Sequence, residues 1–290
     1  MKLNHYKTCW ISDLHLGSDS SEAEVAYRFL KDNSFDKIYL VGDVIDIWRL
    51  KKAGFLPRRK AQSHINVVQR LLKLSKKGTE IVYLIGNHDE FIANFIEEDS
   101  REFGSFIELA EEVEHVTADG KKYVVMHGHQ FDLITRYNPW LAKLGDSGYH
   151  FMIWLNRLYN KLRRKIGLKY WSLSKYIKIN VKKAVNFISR FEETAARYVE
   201  EKECDGIICG HIHEPAVKKI DDCWYLNCGC WTDIANCTAL VEREDGSIEL
   251  IQWTEDNNEE VIAGTRSRAR EESLHSNSHE SRERYEEACV

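Results

Sequence analysis

Residues 80–89 read EIVYLIGNHD, an apolar run that breaks at a glycine into an amide, an imidazole and a carboxylate. The run 80–85 has the length and aliphatic content of a buried strand. Working outward, KTCWIS at 7–12 and KIYLVG at 37–42 read the same way. Between these runs, 21–32 starts on polar residues and continues as a helix, and 60–77 places Ile65, Val68, Leu71, Leu72 and Leu74 at helical spacing. Strand, helix, strand, helix, strand predicts a parallel α/β sheet. Farther along, 113–117 and 122–127 flank Asp119-Gly120, a pair that favours a hairpin turn. Segments 206–209, 215–220, 223–228, 236–243 and 247–252 read as short strands separated by turn residues.

The bulk numbers bound the class. The 290 residues suffice for one large domain or two ordinary ones. Apolar residues make up 43% and charged residues 30%, the balance of a soluble globular protein. No stretch approaches the roughly 20 apolar residues that span a bilayer. The start, MKLNHYKTCW, lacks the apolar centre of a signal peptide, so the expected compartment is the cytoplasm. Eight cysteines fit a reducing compartment, with Cys9, Cys204 and Cys209 expected as small core residues. Cys228 and Cys230 form a C-x-C pair with no second pair at zinc-finger spacing. A net charge of −5 argues against general nucleic-acid binding.

That net charge hides an asymmetry. Residues 138–202 read as two or more helices inserted into a domain that covers 1–253. From Ser147 to Phe191 there is no Asp or Glu, while Arg157, Arg163, Arg164 and Lys165 interleave with aromatics such as Trp154 and Trp171. Basic, aromatic amphipathic helices suit an anionic lipid surface or an amphiphilic substrate. A solvated cap whose aromatics pack on the core fits the same residues. The tail, 254–290, is charged with few apolar residues, and disorder is expected there.

Five motifs each follow an apolar strand: Asp13-Leu14-His15, Gly42-Asp43, Gly86-Asn87-His88-Asp89, His127-Gly128-His129 and Gly210-His211-Ile212-His213. The carboxyl ends of strands in an α/β sheet line one edge, where ligands bind. In D-x-H and H-x-H, alternate residues of an extended chain point the same way, so both side chains can reach one site. Mixed oxygen and nitrogen ligands suit Mn²⁺, Fe or Zn²⁺ better than Ca²⁺ or Cu(I).

In that order the motifs resemble the calcineurin-like metallophosphoesterase family, over residues 8 to about 240. The resemblance implies an α/β four-layer sandwich, two stacked mixed β-sheets flanked by helices, with the insertion as a helical cap. It implies two divalent metal ions, Mn²⁺ foremost, with Fe or Zn²⁺ as alternatives. Asp13, His15 and His213 would bind the first, Asn87, His127 and His211 the second, and Asp43 would bridge both. His88 would face the leaving-group oxygen as general acid or transition-state stabiliser, oriented by Asp89. Such metals acidify a shared water and offset charge on the phosphate, and a histidine titrates in the range needed to protonate the leaving group.

Val41-Gly42-Asp43-Val44-Ile45-Asp46-Ile47-Trp48, Tyr225-Leu226-Asn227-Cys228-Gly229 and the strand Cys237–Glu242 are similar to the branch that contains UDP-2,3-diacylglucosamine pyrophosphatases. The implied substrate is a phosphorylated amphiphile or sugar nucleotide, met at the inner face of an anionic membrane. This chain departs from that branch at His88, where the branch has arginine, and at His129 and Cys230, where acidic residues are common. A phosphomonoester or protein phosphatase, a nuclease and a non-catalytic metal-binding scaffold are the alternatives.

Overall fold

A computed structural model of the chain describes residues 4–46, 58–95, 102–103, 107–133, 173–233, 237–253 and 259–265. Strands β1 (Asn4–Ile11), β2 (Asn33–Val41) and β3 (Glu80–Leu84) pair in parallel. Parallel neighbours cannot be joined by a tight turn. Here α1 (Ala23–Asp32) lies between the first two and α2 (Arg58–Ser75) between the second and third. Ile11 lies opposite Leu40, and Leu40 opposite Tyr83, so the three strands stop nearly level.

The first sheet is completed by β4 (Glu102–Phe103), β5 (Ile107–Ala110), β11 (Thr238–Glu242), β12 (Ile248–Trp253) and β13 (Glu259–Gly264). Among the described residues its order is β13-β12-β11-β1-β2-β3-β5-β4. The second sheet takes β6 (Glu112–Val116), β7 (Lys122–Met126), β8 (Gly206–Cys209), β9 (Ala216–Ile220) and β10 (Cys223–Asn227), in the order β6-β7-β8-β10-β9. Both sheets mix parallel and antiparallel pairs. This is the expected pair of mixed sheets with flanking helices.

Successive strand residues point to opposite faces, and the first sheet buries both. Cys9, Ile11, Ile38 and Leu40 pack with Phe29 and Leu30 of α1 and with Val67, Leu71 and Leu74 of α2. Their chain neighbours Trp10, Tyr39 and Val41 pack with Tyr123, Val125, Ile208 and Leu226 of the second sheet. Full burial of one such side chain stabilises by roughly 1.5–3 kcal/mol, which explains why these strands read as continuous apolar runs.

Residues Gln130–Arg197 form a second compact unit. The insertion expected over 138–202 overlaps it, and 134–172, with most of the basic aromatic stretch, lie outside the described residues. The unit's described part includes most of the helix α3 (Leu173–Glu201), where Phe191 meets Phe131 edge to face at 5.5 Å. No helix among the described residues is long and apolar enough to cross a membrane.

Three local expectations are revised. Glu259–Gly264, expected in a disordered tail, pairs antiparallel with β12 as an edge strand. Glu259 fastens it, accepting hydrogen bonds from Tyr6 Oη and from Asn4 Nδ2, the latter at 3.2 Å. Val261 and Ile262 point out to solvent, so the strand lacks the buried face that would mark it in the sequence. The short β4 and β5 also went unread. Cys204 is only half-buried, whereas Cys9 and Cys209 are core residues as expected.

The two sheets are tied by a buried carboxylate. Glu242 on β11 accepts hydrogen bonds from Thr8 Oγ1 at 2.6 Å and from the Ala118 amide at 2.8 Å. His115 Nε2 on β6 lies 3.1 Å from the same carboxylate, and its Nδ1 meets Tyr39 Oη at 3.2 Å. Burial raises the Glu242 pKa, but His115, Thr8 and Ala118 together hold it below the usual carboxylate range. Its contribution is therefore full above the unfolded-state pKa and is lost as pH falls through the lower folded-state value. Glu242→Gln should lower unfolding stability at neutral pH by about 2 kcal/mol, the worth of hydrogen bonds to a charged group. Urea titrations with chelator present should also show the variant losing less stability than the parent on acidification.

Candidate metal centre

The loops that leave β1, β2, β3, β7 and β8 converge. Backbone bonds align the first two: Asp13 N–H donates to Gly42 O at 3.1 Å, His15 N–H to Asp43 O at 2.9 Å and Leu16 N–H to Val44 O at 2.8 Å. In the second sheet, Gly210 N–H donates to His127 O at 3.1 Å. Asp13, His15, Asp43, His211 and His213 all adopt positive φ, between 45° and 68°. Only two other non-glycine residues among those described do so, Glu203 and Asp221. Left-handed backbone costs an L-residue on the order of 1–2 kcal/mol. Its concentration here turns five side chains inward at the expense of local stability. Gly86 leaves room for the same packing: a Cβ there would overlap the carboxylate and amide of Asp43.

Both carboxylates are divided between backbone and site. Asp13 Oδ2 accepts from the Ser12 hydroxyl and, at 2.9 Å, from the His211 amide. Its Oδ1 lies 3.0 Å from His213 Nε2 and 3.6 Å from His15 Nε2. Asp43 Oδ1 accepts from the His88 amide at 2.8 Å, while Oδ2 lies 3.5 Å from His127 Nε2 and 3.8 Å from His15 Nε2. Three groups could each hold a metal ion: Asp13, His15 and His213; His15, Asp43 and His88; and Asp43, His127 and His211. Asp43 thus adjoins both of the expected ligand sets.

The donor set fits a cation. His127 Nδ1 donates to Val41 O at 2.8 Å, which directs the other nitrogen, buried and without a hydrogen-bond partner, toward Asp43. Asn87 Oδ1 is likewise buried without a partner. Burial lowers the pKa of each of His15, His127 and His213, but the adjacent aspartates outweigh it and raise them to about 9, 9 and 10. The carboxylate cluster draws positive charge, which a proton or a metal ion can supply. Burial likewise raises the Asp13 and Asp43 carboxyls, and the imidazoles around them reverse that, holding Asp13 well below the usual range.

His88 stands at the edge of this cluster, with Nε2 3.9 Å from Asp43 Oδ2 and its ring edge-on to His15 at 4.7 Å. The carboxylate beside its Nδ1 is Asp46, at 3.4 Å, rather than the expected Asp89. Asp46 also lies 3.8 Å from His15 Nδ1. Asp89 instead ties the loops together, accepting from Gly86 N–H at 2.6 Å, Val44 N–H at 2.8 Å and Tyr83 Oη at 2.6 Å. Burial keeps its carboxyl above the usual range. Asp46 was missed although Gly42-Asp43-Val44-Ile45-Asp46 holds two carboxylates three apart, a spacing that returns to one side of a tight loop.

His129 lies beside His127, rings 5.5 Å apart, but belongs to none of the three groups. Cys230 adjoins His213: burial raises its thiol, and His213 and Thr232 bring it below its ordinary value. Arg157, Arg163, Arg164, Lys165, Trp154 and Trp171 lie outside the described residues.

Buried carboxylates and imidazoles sharing one central aspartate at the ends of α/β strands are the kind of site used by metal-dependent phosphoester hydrolases. The family model for calcineurin-like phosphoesterases matches residues 6–215, and the chain belongs to that family of hydrolases. It is 24% identical over 263 residues to the UDP-2,3-diacylglucosamine hydrolase of Photorhabdus laumondii, covering 85% of this chain and 98% of that one. Identity to the hydrolase of the same name from Histophilus somni is 25% over 221 residues, covering 72% and 84%. Among solved structures, the E. coli phosphoesterase Yfce superposes with a TM-score of 0.43 at 14% identity, covering 89% of this chain and 97% of that one.

Gly86→Ala should displace the Asp43 carboxylate without removing any donor. Elemental analysis after metal loading should show content falling toward that of Asp43→Ala, with far-ultraviolet circular dichroism unchanged. Full metal content in Gly86→Ala would mean that the close packing of Asp43 is dispensable.

Proposed function

We propose that the chain hydrolyses a pyrophosphate or phosphodiester bond in a nucleotide-linked lipid or sugar of the UDP-2,3-diacylglucosamine type. The observation that carries the reading is Asp43, which adjoins one group made with Asp13, His15 and His213 and another made with His127 and His211. In this reading Asp13, His15 and His213 hold one divalent cation, Asn87, His127 and His211 hold a second, and Asp43 is shared. Manganese is the proposed native metal, since the donors mix oxygen and nitrogen. Bound there, the cations supply Lewis acidity, which acidifies water and offsets charge on the phosphate.

The remaining work falls to the protein. In this reading Asp46, whose carboxylate lies 3.4 Å from His88 Nδ1, orients the ring and leaves Nε2 toward the site. His88 then donates a hydrogen bond or a proton to the leaving-group oxygen. The positive-φ loops hold the aspartates and imidazoles in place before substrate arrives, so little reorganisation accompanies the reaction. Two features support a lipid-linked substrate. One is the likeness to relatives named UDP-2,3-diacylglucosamine hydrolase. The other is the acid-free stretch from Ser147 to Phe191, whose cations Arg157, Arg163, Arg164 and Lys165 suit phosphates and whose Trp154 and Trp171 suit acyl chains. The proposed location is the cytoplasmic side of a membrane, held peripherally.

The substrate is tested by incubating manganese-loaded protein with a nucleoside-diphosphate-linked lipid, a soluble phosphodiester and a phosphomonoester. Mass spectrometry should find nucleoside monophosphate and lipid monophosphate, with chelation abolishing both. Turnover of the monoester alone would defeat the pyrophosphatase reading.

His88→Ala should keep its metal content, and its turnover should fall by roughly 10²–10⁴, the usual worth of a positioned proton donor. The loss should shrink for nitrophenyl esters, whose leaving group needs no proton. Asp46→Asn should follow the same leaving-group trend with a smaller loss. An equal loss on good and poor leaving groups would remove the proton-donor role.

A further inference from the structure

Helix α2 has more apolar residues than its buried face accommodates. Val67, Leu71 and Leu74 enter the core, while Ile65, Val68 and Leu72, at i, i+3 and i+7, remain 48%, 41% and 39% exposed. Those three positions form one stripe along the outer side of the helix. The helix itself carries charge of one sign, and the carboxylate seen against it is Glu24 of α1, which accepts from Ser63 Oγ at 3.0 Å. Residues 58–77 contain seven Lys and Arg and no Asp or Glu, in a chain whose 46 acidic residues outnumber its 41 basic ones. Arg70 is engaged inward, its Nε donating to Leu30 O at 3.0 Å and so fastening α2 to α1. Lys73, Lys76 and Lys77 are exposed at the end of the stripe.

We propose that this outer face of α2 docks on a bilayer surface that contains anionic lipid. The stripe enters the headgroup boundary, and the lysines meet lipid phosphates. Both halves of the face are then used: aliphatic side chains leave water, and cations neutralise surface charge. A second copy of the chain fits less well, because a two-fold pairing sets one basic, acid-free helix against another. Nucleic acid would take the lysines but offers nothing to Ile, Val and Leu, which lack the flat faces on which bases stack. The surface gives the peripheral location a physical basis and does not depend on which phosphoester is cleaved.

The test sediments the full chain with vesicles of phosphatidylcholine and phosphatidylglycerol in equal parts, and with phosphatidylcholine alone. Binding should require phosphatidylglycerol and weaken with salt, since exposed charges are screened within about 10 Å at 0.1 M. Lys73→Gln, Lys76→Gln and Lys77→Gln combined should lower partitioning about a hundred-fold, and Ile65→Ser with Leu72→Ser about ten-fold. Hydrolysis of bis(p-nitrophenyl) phosphate in solution should be the same for both variants and the parent, which reports an intact fold and an intact site. Parent protein that ignores phosphatidylglycerol, or variants that bind as the parent does, would overturn the proposal. In the second case membrane binding itself survives and belongs to another surface, and the substrate reading is untouched. A dimer in sedimentation velocity that Leu72→Ser dissolves would assign the face to a second copy instead.

Discussion

Three carboxylates, Asp13, Asp43 and Asp46, lie buried within 4 Å of imidazole nitrogens, and the local architecture answers to that concentration of negative charge. Burying like charges together is unfavourable unless positive charge or hydrogen-bond donors meet them. The chain supplies both. Backbone amides of His88 and His211 each take one carboxylate oxygen, and His15, His127 and His213 crowd the other side. The level ends of β1, β2 and β3, the left-handed residues after them and the bare Cα of Gly86 are the means by which five loops approach closely enough.

The parallel core was legible because its strands are buried on both faces and so read as unbroken apolar runs. The hairpin around Asp119-Gly120 was legible because glycine there takes a positive φ of 87°. β13 was not, since it lies at a sheet edge with Val261 and Ile262 in water. Beyond its pairing with β12, it is fastened by contacts of Glu259 with Tyr6 and Asn4, more than 250 positions away in the chain, which no local pattern encodes. Likewise the acid-free run beginning at Arg58 is plain in the sequence, but which of its apolar residues stay outside is a matter of packing.

The motifs come together in the structure, and the geometry differs from the sequence reading in one contact. Asp89 follows His88 directly and looks like its partner in the sequence. Adjacent residues seldom face each other, however, and Asp89 turns back to clamp the loop and Tyr83. Asp46 reaches His88 from the neighbouring strand end, a relation that only the register of β2 against β3 reveals. The same clamp links the end of β2, through Val44, to the turn after β3, so Asp89 holds together the two loops that present Asp43 and His88.

The Asp13–His213 and His15–His213 contacts have a consequence for how the protein is made. His15 and His213 are separated by 198 positions. On the ribosome, the amino-terminal aspartate and histidine emerge early, while their partner is still untranslated. Contacts so distant in the chain raise its contact order, which slows folding. Until residue 213 has been translated, Asp13 and His15 lack one of the imidazoles that meet them in the folded chain.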